Sequence, residues 1–201
     1  MELILSTKNR TKIEQIKAAL SGLNITVLSL EDAGILGEAV EDGNTLEENA
    51  LKKAAFAQQK SGAWAIADDT GLFIDALGGK PGIYAGRWAE HELGRKLPTE
   101  EIMRFVLEKL AHIPYPARTA TFKTVAALVS PTGEEKTFIG SVSGIILTEP
   151  RTVCQPNMPY SSLFQPHGHD KVWAEMSVEE ENIVSHRGKA FKQLRDFLAS
   201  I

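Results

Sequence analysis

The sequence predicts an α/β fold, a long mixed β-sheet flanked by helices, and three observations carry that prediction. An apolar run, "ELILS" (2–6), leads through a polar loop into Ile13, Ile16 and Leu20 at helical spacing, and the strand-like "NITVLSL" (24–30) follows. A β-α-β opening of this kind favours an α/β domain. Further on, "ATFKTVAALVS" and "KTFIGSVSGIIL" flank "PTGE" and read as an antiparallel hairpin of long strands, which makes the sheet mixed. The chain then ends in helix.

The elements between these landmarks follow from local chemistry. Thr45 and Glu48 in "TLEE" form a capping box that opens a helix through "NALKKAAFAQQ", stopped by Ser61 and Gly62. "WAIA" (64–67) reads as a buried strand that ends abruptly at "DDTG". "GGKPGIYAG" (78–86) is a shaped loop, and 99–111 places Ile102, Phe105, Val106 and Leu110 on one helical face. From Pro150 to about Gly168 the chain is loop-rich.

Composition narrows the class of function. With 201 residues, 43% hydrophobic, 24% charged and no low-complexity run, the chain reads as a soluble globular protein of one domain or two small lobes. Its net charge of -4 argues against binding polymeric nucleic acid, yet allows a local basic pocket around a small anion. Cys154 is the only cysteine, which leaves no disulfide framework and fits a reducing cytoplasm. No apolar stretch is long enough for a signal sequence or a membrane span.

Two polar clusters are candidates for chemistry. "ADDTG" sets Asp68 and Asp69 at the carboxyl end of a strand, the edge where open α/β sheets bind ligands. The pair suits magnesium, which takes few carboxylates and completes its shell with water and phosphate oxygens; it equally suits an Asx turn. Glu41 in "VEDGNT" could be a further ligand or a solvated acid. "STKNRTK" (6–12), between strand and helix, offers Thr7 and Asn9 as donors and Lys12 as a cation to an anion, or else simply caps the helix. Lys53 falls within an amphipathic helix, and Arg87 could either fork onto a phosphate or form a structural ion pair.

Near the end of the chain, "SVEE" (177–180) is a second capping box, which accounts for Glu179 and Glu180. Ser185 can cap a final helix with Phe191, Leu194, Phe197 and Leu198 on its apolar face. His186 and Arg187 then sit in a first turn, where positive charge opposes the helix dipole, so a bound anion is expected there.

Taken in order, "TKNRTK" (7–12), "EDGNTLEENALKKA" (41–54), "AIADDTGLFIDALGGKPGIYAGR" (65–87), "LFQPHG" (163–168), "AEM" (174–176) and "SHRGKAF" (185–191) resemble the inosine triphosphate pyrophosphatase family. The resemblance spans nearly the whole chain. It implies an elongated fold of two lobes around the mixed sheet, an active-site cleft between them, and a homodimer. It implies magnesium-dependent hydrolysis of non-canonical purine nucleoside triphosphates to the monophosphate and pyrophosphate. On it, Asp69 is the general base and a magnesium ligand, with Glu41 the second metal contact. Thr7, Lys8, Asn9, Arg10, Thr11 and Lys12 form the phosphate loop, and Lys53 and Thr70 add substrate contacts. His186 and Arg187 are similar to a pair that closes over the nucleotide.

The sequence departs from that family in three places. Met158, Pro159, Tyr160, Ser161 and Ser162 stand where the family's base pocket has Phe-Gly-Tyr-Asp-Pro, so Tyr160 and Ser161 are what remains to meet the base. Glu181 stands where the family has a substrate-binding lysine, and Ala85 where it has serine. Altered base selectivity is therefore expected. A nucleotide-binding homologue without turnover and a pyrophosphatase for modified pyrimidine nucleotides are the alternatives.

Overall fold

The computed structural model describes all 201 residues. Strand β1 (Glu2–Leu5) is buried except at its first residue. It pairs in parallel with β2 (Thr26–Ser29), Glu2 opposite Thr26, and with β3 (Trp64–Ile74), Leu3 opposite Trp64. Helix α1 (Arg10–Ala19) opens at Asn9, whose side chain accepts the Lys12 amide at 3.3 Å, while the Asn9 amide donates to Thr7 Oγ1 at 3.3 Å. Helix α2 (Leu46–Ser61) is capped by Thr45, which accepts the Glu48 amide at 3.1 Å. The Glu48 carboxylate reaches back one residue further than a capping box requires, to the Asn44 amide at 2.8 Å. Gly62 ends the helix, as expected.

The prediction that the third strand stops at "DDTG" does not hold. β3 runs on through Asp68, Asp69, Thr70 and Gly71 to Ile74. The turn-forming look of that segment is overridden by its place in the sheet beside the strand Thr119–Val129, and further on β4 (Pro81–Gly82) joins antiparallel, with Leu72 opposite Gly82. Helices α3 (Trp88–Leu93) and α4 (Thr99–Lys109) follow. β5 (Thr119–Val129) and β6 (Glu135–Ile146) are neighbours joined by a tight turn in which Ser130 and Glu134 bond at 2.9 Å, the hairpin foreseen. β7 (Phe164–Pro166) lies antiparallel to β6, and the sheet order is β2-β1-β3-β5-β6-β7. With parallel and antiparallel pairs together and α5 (Val178–Val184) and α6 (His186–Leu198) closing the chain, the fold is a mixed α/β sheet flanked by helices.

The chain divides into two compact units, whose boundary cuts β3, β5 and β6. The first comprises Met1–Thr70, Thr124–Ser141 and Ser185–Ile201. Its core joins Leu3, Leu5, Ile66 and Leu128 from the sheet to Ile16 of α1 and Phe191 and Leu194 of α6. The second comprises Gly71–Lys123 and Val142–Val184, and its core is aromatic. Phe122 packs edge-on to Phe164 with ring centres 4.9 Å apart and tilted against Trp173 at 4.7 Å. No helix is long and apolar enough to cross a membrane.

Candidate active site

The pairing of β1 with β3 ends at Leu5 and Ile66, where the Ser6 amide donates to the Ile66 carbonyl at 2.8 Å. The chain after β1 turns off into the 6–9 loop, and β3 continues past that edge without β1 beside it. Asp68 and Asp69 thus lie beyond the carboxyl end of the parallel pair, though inside a strand and not in the turn expected. Successive strand residues point to opposite faces. The two carboxylates accordingly take different partners, and they do not form a side-by-side metal pair.

Asp68 is 1% exposed, and its Oδ2 collects every donor it has. Lys12 Nζ donates at 2.9 Å, Arg187 Nε at 3.3 Å and Thr70 Oγ1 at 3.3 Å, while Oδ1 receives no hydrogen bond. Burial alone would raise this carboxyl's pKa, but Lys12, Arg187 and Lys53 outweigh it and hold the group far below the usual carboxylate range. Burial lowers the Lys12 pKa, with Asp68 opposing. Lys12 is therefore a half-buried ion-pair partner and not a solvated helix charge.

Asp69 is 8% exposed and faces α2. Lys53 Nζ donates to its Oδ1 at 3.0 Å, and Asn49 Nδ2 to its Oδ2 at 3.4 Å. Glu41 Oε2 lies 3.6 Å from the same lysine, with a third of its side chain open. Burial raises the Asp69 pKa from its ordinary value, against the pull of Lys53 and Lys12. On Lys53 burial works against the charge, but Asp69, Asp68 and Glu41 prevail and raise its pKa. One face of β3 thus carries a locked, permanently charged carboxylate. The other carries a buried carboxylate whose pKa is raised and whose partners come from one helix.

Helix α6 meets Asp68 through its first turn. Ser185 caps it by accepting the Gly188 amide at 3.0 Å, as its sequence foretells. The turn sits so close to β6 that a Cβ at Gly140 would fall 2.1 Å from the His186 carbonyl oxygen, so only glycine fits there. The expected clash between cations and the helix dipole is resolved inside the protein. Asp68 supplies the anion to Arg187, whose Nη1 also donates to Gln15 Oε1 at 2.5 Å. Burial drives the His186 pKa well below its ordinary value, leaving it neutral.

The remaining predicted residues are placed less uniformly. Lys8 is exposed and pairs with Glu38 at 2.7 Å, while Arg10 is exposed and Thr11 half-buried at the start of α1. Thr70 shares its hydroxyl between Asp68 and Thr124 Oγ1, the latter at 2.7 Å. In the second unit, Arg87 is exposed at the end of a short 3-10 turn. Tyr160 is 5% exposed, joins the aromatic core, and donates its hydroxyl to the Ala85 carbonyl at 2.6 Å. Ser161 Oγ accepts the Gln155 amide at 2.8 Å and donates to the Met158 carbonyl at 2.8 Å. Both side chains are hydrogen-bonded within the fold. Glu181 is 3% exposed and accepts from Gln155 Nε2 at 3.0 Å.

Sequence reasoning missed Asn49, Gln15 and Thr124. Asn49 precedes Lys53 by four residues, and Gln15 follows Lys12 by three, so helical spacing was the available signal. Thr124 has none, since its role depends on which strand lies beside β3. No group of three or more His, Cys, Asp and Glu comes together as a ready-made metal centre.

A buried strand acid clamped by two cations, beside a second acid facing a helix lysine, defines an anion-handling α/β protein. The chain belongs to the Ham1 family, whose model matches residues 3–197. It is 43% identical over 196 residues to a dITP/XTP pyrophosphatase of Geobacter sulfurreducens, covering 98% of this chain and 96% of the relative. A dITP/XTP pyrophosphatase of Thermoanaerobacter pseudethanolicus is 38% identical over 199 residues, at 98% and 96% coverage. A solved HAM1 protein from Coxiella burnetii superposes with a TM-score of 0.86 at 31% identity, covering all of both chains.

Proposed function

We propose that this chain hydrolyses nucleoside triphosphates, non-canonical purine ones such as dITP, ITP and XTP among them, to the nucleoside monophosphate and pyrophosphate. The single observation that carries the reading is the Asp69 carboxylate, held between Lys53 and Asn49 with Glu41 beside the same lysine. The relatives named as dITP/XTP pyrophosphatases at closely matching length support it.

In this mechanism Asp69 accepts the proton of a water molecule as its oxygen adds to phosphorus and the bond to the bridging oxygen breaks. The raised pKa of Asp69 suits a group that must take a proton. Lys53 and Lys12 hold the polyphosphate, and Arg187, fixed by Asp68, holds the floor on which they stand. Glu41 and Asp69 fit a magnesium ion by donor type: both are hard oxygen ligands, two is the number magnesium commonly takes from protein, and they converge on one site through Lys53. Bound there, magnesium would neutralise charge developing on the phosphates. Asp68 Oδ2 is taken by Lys12 and Arg187, so in this reading Asp68 contributes chiefly by holding those two cations.

Altered base selectivity belongs to the same reading. Ser161 and Glu181, two departures from the family pattern, are tied into one patch through Gln155. The reading also takes the chain as a cytoplasmic homodimer, which light scattering checks for assembly. The decisive experiment incubates the protein with purine and pyrimidine triphosphates, with and without magnesium, and measures pyrophosphate separately from phosphate. Pyrophosphate release that requires magnesium and vanishes in Asp69→Asn is expected. Nucleotide binding without release of either product overturns it in favour of a binding protein.

A further inference from the structure

Helix α2 turns a stripe of Leu46, Ala50, Ala54 and Ala57 inward, and Asn49 lies in the same stripe at 0% exposure. A primary amide among such residues costs stability unless both of its ends are bonded. Asn49 Oδ1 accepts the Gly43 amide at 2.8 Å, and Nδ2 donates to Asp69 Oδ2 at 3.4 Å. The reverse orientation would face NH2 to an N–H and oxygen to a carboxylate, so the partners fix which end is which. Gly43 stands two residues after Glu41 in the loop before α2. A Cβ on Gly43 would fall 2.7 Å from Asn49 Oδ1 and 2.8 Å from Glu48 Cβ. The loop is therefore drawn against the helix as closely as a main chain can come.

One turn along α2, Lys53 reaches the other Asp69 oxygen and the Glu41 side chain. Lys53 cannot by itself hold the two acids at a fixed spacing, because a long flexible ammonium tolerates many geometries. The short, fully bonded Asn49 amide can. We propose that Asn49 is a positioning residue: it pins the main chain of the Glu41 loop to Asp69 and so sets the spacing of the two carboxylates that receive a divalent cation. The cation part rests on the proposed function; the tether itself does not.

The test compares wild type with Asn49→Leu, which keeps the volume and removes both bonds, and with Gly43→Ala, which breaks the same contact from the loop side. Three quantities are read: exchange of the Gly43 amide, Mn²⁺ affinity by calorimetry without nucleotide, and the magnesium concentration for half-maximal pyrophosphate release. Gly43 exchange is expected to quicken in both variants. Cation affinity and the magnesium requirement are expected to worsen by roughly 10-fold or more, as for other residues that orient metal ligands, with the nucleotide KM at saturating magnesium little changed. Unchanged Gly43 exchange, or a wild-type Mn²⁺ affinity in a folded variant, overturns the proposal. Should Asn49→Leu fail to fold, Gly43→Ala decides by the same readings. If wild type binds no cation and releases no pyrophosphate, the proposed function falls, and Gly43 exchange alone decides the tether.

Discussion

The two units of the chain treat buried polar groups in opposite ways. In the first, charged side chains answer one another: Lys12 and Arg187 meet Asp68, and Lys53 meets Asp69 and Glu41. In the second, Arg118 is 6% exposed with no acid, and it donates instead to the carbonyls of Ile113 at 2.9 Å, Leu110 at 2.9 Å and Leu147 at 3.4 Å. Tyr160 and Ser161 likewise end on backbone carbonyls. Buried carbonyls are themselves in need of donors, so that arrangement stabilises the fold. Charge paired with charge, and not the number of buried polar groups, distinguishes the first unit.

The sharpest way to break this contrast is at Asp69 and Asp68. Asp69→Asn keeps the shape and the Lys53 contact while removing the proton acceptor. Pyrophosphate release is expected to fall by about 10² to 10⁴, the usual range for a general base, with the unfolding midpoint little changed. Asp68→Asn is expected to do the reverse in kind. It strands Lys12 and Arg187 as buried cations, and losing one partner of such a cluster costs about 3–5 kcal/mol, read by urea unfolding. Equal stability losses in the two variants would erase the distinction between the faces of β3.

A smaller effect tests the neutral histidine of α6. Burial lowers the folded pKa of His186, with Arg187, Lys12 and Lys189 acting in the same direction and Asp68 against. Below the unfolded value of about 6.5 the unfolded chain binds a proton that the folded chain refuses, so stability falls as pH falls, by up to ~1.4 kcal/mol per pH unit until the folded pKa is reached. Above the unfolded value the stability is fully present. Urea midpoints at a series of pH values between 8 and 5 should decline for wild type and flatten in His186→Gln; an unchanged slope assigns the acid sensitivity elsewhere.

What could be read in advance divides along the range of the interactions. The caps at Thr45, Ser177 and Ser185 depend on residues three positions away, and each was legible: Ser177 and Glu180 exchange bonds at 2.9 and 3.2 Å. The course of β3 was not, because Asp, Thr and Gly carry turn propensity and the pairing that overrides it comes from strands elsewhere in the chain. Nor was the anion that answers Arg187, since Asp68 stands 119 positions away. The residues of the candidate site were legible as types in a pattern. Which cations each of the two aspartates meets follows only from the strand that carries both.

Tyr160 offers the smallest and most discriminating check on the second unit. Its position in the sequence made it a candidate to meet a base, whereas its hydroxyl ends on Ala85 and its ring meets Phe122 at 5.9 Å. Tyr160→Phe removes the donor, keeps the ring and leaves a buried carbonyl unanswered, which costs about 1–3 kcal/mol. If the tyrosine is a core residue, thermal unfolding moves down while the ratio of kcat/KM between inosine, xanthosine and guanosine triphosphates stays fixed. A residue that touched the base would show the opposite: an unmoved midpoint and a changed ratio, because a lost contact to one base and not another alters transition-state binding unequally. The ratio cancels any loss of folded enzyme, so it separates packing from recognition even where both the yield and the rate decline.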